Sequence, residues 1–254
     1  MIKILLYGSS GKMGEAVMRV VKDSADFEIA AGVDSCSPSE PLPFPAFLNI
    51  NDCNIPVDVI IDFSTAEAVQ DAVDYAVLKG IPIIICTTAL SDETLRKIDK
   101  ASKIIPILRS ANMSIGINLL MGMLKKCSVI LSNAGFDIEI VEKHHRRKID
   151  APSGTALMLA DAINEASDGK FNYVYERESV DEKRSDDHLG IMSLRGGTIA
   201  GEHDVIFAGE NEIVELNHRA LSNDVFAKGA LLAARFLIDK IPGTYNMEDL
   251  FDEM

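Results

Sequence analysis

The amino-acid sequence predicts an α/β protein with a doubly wound parallel sheet in its first half and an α+β domain in its second. Three observations lead there. Short, nearly all-apolar runs alternate with helix-like segments as far as about residue 108, the pattern of parallel strands covered on both faces by crossover helices. The first run passes directly into a glycine-rich turn and then a helix. From about residue 136 the pattern changes to alternating apolar and polar residues punctuated by glycines, as half-exposed strands require.

Taken in order, Ile2 to Tyr7 is the first expected strand, followed by the turn "GSSGKMG" (Gly8 to Gly14) and a helix to about Asp23. Phe27 to Val33 is the second strand and ends on Asp34. Ser37 to Pro56, rich in proline and polar residues, reads as a connection. Strand, helix, strand, helix, strand then follow over Val57–Asp62, Ala66–Lys79, Ile81–Cys86, Asp92–Lys100 and Ile104–Leu108. Ser64-Thr65 and Thr87-Thr88, placed just after two of these strands, carry the hydroxyls expected of helix N-caps. Ser114 to Ser132 is a long apolar helix, Phe136 to Val141 a half-exposed strand, and Pro152 to Ala166 a helix opening on Pro-Ser-Gly-Thr. Glu176 to Asp187 is expected to be a solvated loop, with His188 exposed in it. Ile191 to Ala220 reads as antiparallel strands, His218 as part of an approach to a helix, and Val225 to Lys240 as a final helix returning to the first domain.

A net charge of −14 over 254 residues argues against nucleic acid, which needs a broad basic face, and against anionic membrane surfaces. The four cysteines, Cys36, Cys53, Cys86 and Cys127, show no CxxC pair or metal-ligand spacing, which suits free thiols in a reducing cytoplasm. "MIKILLYG" is too quickly broken by glycines for a signal peptide. No apolar run is read as reaching the ~18 residues of a membrane span.

Two motifs carry chemistry. In GxxGxxG, placed between strand and helix, glycines allow a tight turn and close approach of a pyrophosphate to free N–H groups at the helix start. Asp34 lies 20 residues beyond Gly14, where a carboxylate can bind ribose hydroxyls, although an exposed turn aspartate would look the same. A carboxylate there repels a 2′-phosphate, so NADH is expected to be preferred, with Lys12 leaving NADPH tolerable. The second motif is "KHHRRKIDAPSGT" (Lys143 to Thr155), four cations and two histidines within six positions of an acidic chain. Such a run can be merely solvated. Here it is read as following a strand end, with histidines suited to proton transfer. It leads into a helix N-terminus, where Ser153, Gly154 and Thr155 can receive a carboxylate. Cations beside an anion-binding turn describe a site for a small dianion. A metal site fits poorly, because adjacent histidines rarely reach one ion, and none is expected.

"VEKHHRRKIDAPSGTA" closely resembles the signature of the 4-hydroxy-tetrahydrodipicolinate reductases (dihydrodipicolinate reductases) of the diaminopimelate route to lysine. "GSSGKMG", "CTTAL", "SANMSIGIN" and "LRGGTIAGEHDVIFAGENEIVELNHRA" are similar to further family segments, so the resemblance spans nearly the whole chain. It implies a Rossmann-like first domain, residues 1–112 with 226–254, and a substrate-binding and tetramerisation domain with an open mixed sheet, residues 113–225. Catalysis would lie in the cleft between them after hinge closure. His144 and Lys148 match the family's proton-donating pair, His145 a substrate-binding histidine, and Gly154 with Thr155 the carboxylate-binding turn. Gly8, Ser9, Ser10, Gly11, Lys12, Met13, Asp34, Cys86, Thr87, Thr88, Ser110, Ala111, Asn112 and Met113 match cofactor contacts. The implied reaction is NAD(P)H-dependent reduction of a small dicarboxylate, 4-hydroxy-tetrahydrodipicolinate, with loss of water, by a cytoplasmic homotetramer.

Two departures stand out: Cys86 replaces the first glycine of the usual G-T-T-G, and Asn223 stands where arginine is common. His203 is read either as the family's G-x-H histidine or as a structural one. Met113, Met121 and Met123 are read as core or interface filler. Rival readings are another amino-acid dehydrogenase, which leaves the His-His-x-x-Lys signature unexplained, and a cofactor-sensing regulator, which needs no proton donor.

Overall fold

The structure is a computed structural model describing residues 1–37, 40–178 and 183–254. The chain divides into two compact units, Met1–Ile115 with Asn223–Met254, and Gly116–Ser222.

In the first unit, β1 (Ile2–Tyr7), β2 (Phe27–Val33), β3 (Ala46–Phe47), β4 (Val59–Asp62), β5 (Ile83–Ile85), β6 (Pro106–Arg109) and β12 (Gly243–Tyr245) form one parallel sheet in the order β12-β6-β5-β4-β1-β2-β3. Strand alternation sends Ile4 and Leu6 to one face, packed with α1 (Lys12–Lys22) and α6 (Asp224–Leu237). Leu5 and Tyr7 go to the other, packed with α2 (Val69–Lys79) and α3 (Asp92–Ala101). Apolar residues at both parities of β1 are therefore what a two-faced core requires. The winding reverses between β1 and β4, so the strand ends there open a crevice suited to a ligand. A final short helix, α7 (Met247–Phe251), carries a capping box made by Asn246 and Asp249.

The hydroxyls expected to cap helices do something else. α2 begins after Ala68 with no side-chain cap, and α3 is capped by Ser91. Ser64 and Thr87 instead donate to the carboxylate of Asp62, which is 0% exposed. A buried carboxylate needs donors more than a helix end open to water does.

In the second unit, α4 (Ile115–Asn133, whose first residue falls in the first unit) and α5 (Gly154–Ala166) pack on one face of a mixed sheet. That sheet consists of β7 (Asp137–His144), β8 (Asn172–Val174), β9 (His188–Arg195), β10 (Gly201–Ala208) and β11 (Ile213–Ala220), ordered β11-β10-β7-β9-β8. Leu120, Leu124, Leu159 and Ile163 meet Ile138, Ile140, Leu189, Ile191, Val205 and Phe207. α4 is 19 residues long and apolar enough, by length and composition, to cross a membrane. The reading that no run reaches that length is corrected, although Leu120 and Leu124 place this helix on the core of the second unit.

Other corrections follow from pairing. β10 and β11 are antiparallel as expected, but β9 runs parallel to β7, which lies between β9 and β10. His188 opens β9 rather than sitting in a loop, and His218 lies in β11 opposite His203. β7 extends through Lys143 and His144, so the cationic run begins inside a strand instead of after it. Of the expected connection and acidic loop, residues 38–39 and 179–182 lie outside the described residues. The neighbouring Arg177 and Arg184 are not merely solvated: both pair with Glu139, and Arg184 also with Asp137.

Candidate active site

β7 alternates strictly between buried and half-buried positions, so Glu142 and His144 share the inner face while Lys143 points the other way. Lys143 pairs there with Asp204 at 2.6 Å and Glu202 at 3.4 Å. The six-residue cationic run therefore does not act as a block. Arg146 and Arg147 are exposed, and Lys148 pairs with Asp150 at 2.8 Å.

On the inner face, Glu142 Oε2 lies 2.6 Å from His144 Nδ1. Arg195, at the end of β9, grips the same carboxylate with two prongs, at 2.7 and 2.6 Å, and donates to the carbonyl of Asp150 at 2.6 Å. Glu142 also accepts the backbone N–H of Ser153 at 3.0 Å. Burial pushes the Glu142 carboxyl up, but hydrogen bonds from Arg195, Ser193 and His144, with the charge of His144, outweigh it and hold it at about 2. Burial pushes His144 down; Glu142 opposes this, and the charges of Lys148 and Arg195 reinforce it. The result is a neutral imidazole at neutral pH, with its Nδ1 proton directed at Glu142.

Ser153 caps α5 by accepting the Ala156 N–H at 3.1 Å, and its Oγ lies 3.0 Å from His203 Nε2. His203 is 4% exposed and pushed down to about 4, chiefly by burial and then by the charge of His144, whose ring it meets edge-on at 5.2 Å. A Cβ at Gly201 would come within 3.1 Å of His144 Nε2, so glycine leaves room for the imidazole. Gly154 is exposed, and a Cβ there would meet nothing within 4 Å. Gly154 and Thr155 open α5, at the positive end of the helix dipole. His145 Nδ1 is buried without a partner.

In the first unit, Gly8 has φ +84°, and a Cβ there would stand 2.5 Å from the Phe63 carbonyl oxygen. A Cβ at Gly14 would strike the Gly8 and Ser9 carbonyls at 2.5 Å, so helix and turn touch backbone to backbone. Asp34 accepts the Ser10 N–H at 2.9 Å and lines a cavity of about 90 Å³ with Ser9, Ser10 and Cys36. A second cavity, about 320 Å³, is lined by Met13, Phe63, Ser64, Thr65, Ala66, Cys86, Thr87 and Thr88. The buried Ser10 Oγ has no partner. A cradle that a methyl group would fill, an unpaired hydroxyl and a carboxylate at a strand end are a donor set that fits a dinucleotide.

Residues 2–113 match the family model for the dihydrodipicolinate reductase N-terminus, and residues 116–251 that for its C-terminus. The chain belongs to the dihydrodipicolinate reductase family. It is 51% identical over 250 residues to the 4-hydroxy-tetrahydrodipicolinate reductase of Caldanaerobacter subterraneus subsp. tengcongensis, covering 98% of each chain. It is 48% identical to that of Clostridium tetani, covering 98% of this chain and 96% of the relative. A dipicolinate-bound dihydrodipicolinate reductase from Paenisporosarcina sp. TG-14 has a TM-score of 0.81 at 26% identity, covering 98% and 99% of the two chains. A probable dehydrogenase from Thermotoga maritima shares the fold alone, with TM-score 0.60 and 12% identity over 98% and 92% of the chains.

For this dihydrodipicolinate reductase family member, the sequence-derived residues sort into groups. Gly8, Ser9, Ser10, Gly11, Lys12 and Met13 form the β1–α1 turn and the first residues of α1. Cys86, Thr87 and Thr88 line the larger first-unit cavity. Ser110, Ala111 and Asn112 follow β6, where Ser110 Oγ donates to the Asn112 carbonyl at 2.8 Å. Met113 is 2% exposed and packs in the first-unit core, with its carbonyl oxygen against Gly229 of α6, where a Cβ would stand 1.7 Å away. His144 and Ser153 join one bonded network, which Lys148 reaches through Asp150 and through its charge on His144. Glu142, Arg195 and Asp62 were not singled out from sequence. For Glu142 the signal was its i, i+2 spacing to His144, visible once the strand extends that far. For Asp62 it was an acid ending an apolar strand. Arg195, more than 50 positions from Glu142, opens the family-like segment "RGGTIAGEH", which marks the residue but not its partner. Among the described residues, no group of three or more His, Cys, Asp or Glu side chains could hold a metal ion.

Proposed function

We propose that the β7–α5 corner is where this enzyme binds its dicarboxylate substrate and supplies the proton, while the β1–α1 turn binds the dinucleotide. The reaction is the NAD(P)H-dependent reduction of 4-hydroxy-tetrahydrodipicolinate to tetrahydrodipicolinate with loss of water, in the diaminopimelate pathway of lysine biosynthesis. When bound, the reduced nicotinamide supplies hydride. The chain itself supplies charge, shape and a proton.

The observation that carries the reading is the pairing of a buried, carboxylate-held imidazole, His144, with the capped N-terminus of α5. Gly154 and Thr155 offer backbone N–H groups and the positive end of the helix dipole to one carboxylate. Lys148 and His145 supply cationic and N–H partners for the rest of the dianion. His144 is neutral before substrate arrives because burial and two cations oppose its charge. A dianion beside it favours the charged form, so proton uptake accompanies substrate binding and the acid is loaded when needed. The dicarboxylate substrate class agrees with the dipicolinate held by the Paenisporosarcina enzyme.

Finer points belong to the same reading. The first unit with the C-terminal segment is the dinucleotide domain, and residues 113–225 form the substrate and oligomer domain. Asp34 supports preference for NADH, since its carboxylate faces the loop where a 2′-phosphate would lie. Exposed Ile213 and Val214 on the edge strand β11 support association into a homotetramer through the second unit. Four unpaired cysteines support a cytoplasmic setting. Coupling the protein to the preceding synthase and following NADH absorbance tests the whole. Oxidation with a lower KM for NADH than for NADPH, and at least a hundredfold loss of kcat in Lys148→Ala with NADH binding unchanged, is expected. No oxidation above a synthase-free control refutes the activity, and an NADPH preference refutes the role of Asp34.

A further inference from the structure

We propose that Glu142, locked by Arg195, is a positioning residue that fixes which nitrogen of His144 carries the proton and ties that imidazole to the anion-binding turn of α5. The carboxylate is 0% exposed, yet both its oxygens are fully used. Oε2 takes His144 Nδ1 and one prong of Arg195; Oε1 takes the other prong and the Ser153 N–H. An ionised carboxylate only accepts hydrogen bonds. Nδ1 must therefore carry a proton, and Nε2 is left as the nitrogen that gains and releases the catalytic one. The same carboxylate fixes Ser153, the cap of the helix that receives substrate, and Arg195 holds the carbonyl of Asp150, whose side chain pairs with Lys148. Both members of the donor pair and the anion-binding turn are thus referred to one buried charge. Arg195 makes that charge tolerable, since a buried carboxylate without a bidentate partner would be strongly penalised.

Glu142 does not act on His144 alone. The imidazole also faces Lys148 and Arg195, whose charges oppose its protonation, and His203, itself adjacent to His218 on β11. Asp150 partly offsets Lys148. Glu142 is the group among these that favours the protonated form of His144, so its removal moves the titration down.

This inference rests on the reading of His144 as proton donor, and the test separates the two. Ring ¹⁵N chemical shifts of His144 are followed against pH in the ligand-free full-length protein, together with the pH profile of kcat/KM, for wild type, Glu142→Gln and Arg195→Lys. Wild type is expected to show the Nδ1–H tautomer. Glu142→Gln is expected to lose that preference, to move the midpoint of the His144 titration to at least threefold higher proton concentration, and to carry the descending limb of kcat/KM to lower pH by the same amount. Arg195→Lys keeps the charge but loses the two-pronged grip. It is expected to raise substrate KM several-fold with a smaller shift in the titration, and it carries the test if Glu142→Gln does not fold. Unchanged tautomer and pH profile in the folded variants, with only thermal stability reduced, overturn the proposal. A shifted imidazole titration with an unmoved activity limb leaves the hold of Glu142 standing and overturns His144 as the donor.

Discussion

Around Gly8 the proposed dinucleotide-binding surface is made of backbone: two glycines allow carbonyls and N–H groups to approach where any Cβ would collide at 2.5 Å. Around Glu142 it is made of charge: a single buried carboxylate gathers an imidazole, a guanidinium and the start of a helix within 3.0 Å. The first arrangement is steric and tolerates changes in side chains that do not enter the turn. The second is electrostatic, and each member depends on the protonation and reach of the others. The difference predicts which substitutions hurt folding and binding together and which separate them.

The largest contrast lies between two glycines. Gly8→Ala forces an alanine to φ +84° and a methyl group onto the Phe63 carbonyl, so it is expected to cost roughly 3 kcal/mol or more and to abolish measurable NADH binding. Gly154→Ala places its methyl group in open space at an exposed position, so its thermal midpoint should stay near wild type while substrate KM rises at least tenfold. Thermal melts with NADH titration and steady-state kinetics read both. Equal loss of stability in the two variants would erase the distinction.

How well each region could be read beforehand follows the same division. The backbone-built side was legible because its requirements are local: glycines at fixed offsets after an apolar strand, then an acid at the end of the next. The charge-built side was legible only where it is contiguous. His144, Lys148, Ser153 and Gly154 fall in one short stretch, whereas Arg195 meets Glu142 only because β9 pairs beside β7. The parallel β7–β9 pairing is not legible locally, because β7 inserts between β9 and β10, two strands adjacent in sequence. The Ser64 and Thr87 hydroxyls were assigned to helix caps because nothing local shows that Asp62 is sealed from water.

Asp62 is where the steric region borrows the electrostatic solution. It receives the Ser64 N–H at 3.1 Å, the Thr87 hydroxyl at 2.7 Å and the Ser64 hydroxyl, so it staples together the two loops that line the 320 Å³ cavity. Burial pushes its carboxyl up, which these donors resist. Asp62→Asn leaves one acceptor oxygen for donors that need two, with an expected cost of about 1–3 kcal/mol. The loops should loosen, so NADH affinity measured by fluorescence titration should fall several-fold more than kcat at saturating cofactor. A melting-point loss with unaltered NADH affinity would show that the staple serves folding alone.

The smallest expected effect tests whether the steric logic extends to the next loop. Ala89 has φ +57° without being glycine, three residues beyond Cys86 in "CTTAL", where a family pattern of G-T-T-G would place its second glycine. An L-residue there carries a strain of roughly 1–2 kcal/mol that glycine does not. Glycine, however, has more conformational freedom to lose on folding, by about 0.5–1 kcal/mol. The two largely offset each other, and the net gain for Ala89→Gly should lie between about 0 and 1.5 kcal/mol, read as a small rise in thermal midpoint. The more telling measurement is the NADH dissociation constant. If the alanine rigidifies the rim of the cavity lined by Thr87 and Thr88, the glycine variant is more stable yet binds NADH more weakly. Movement of stability and affinity in the same direction would mean that the strained residue is simply a poor fit and that the loop's shape is set from below, by Asp62.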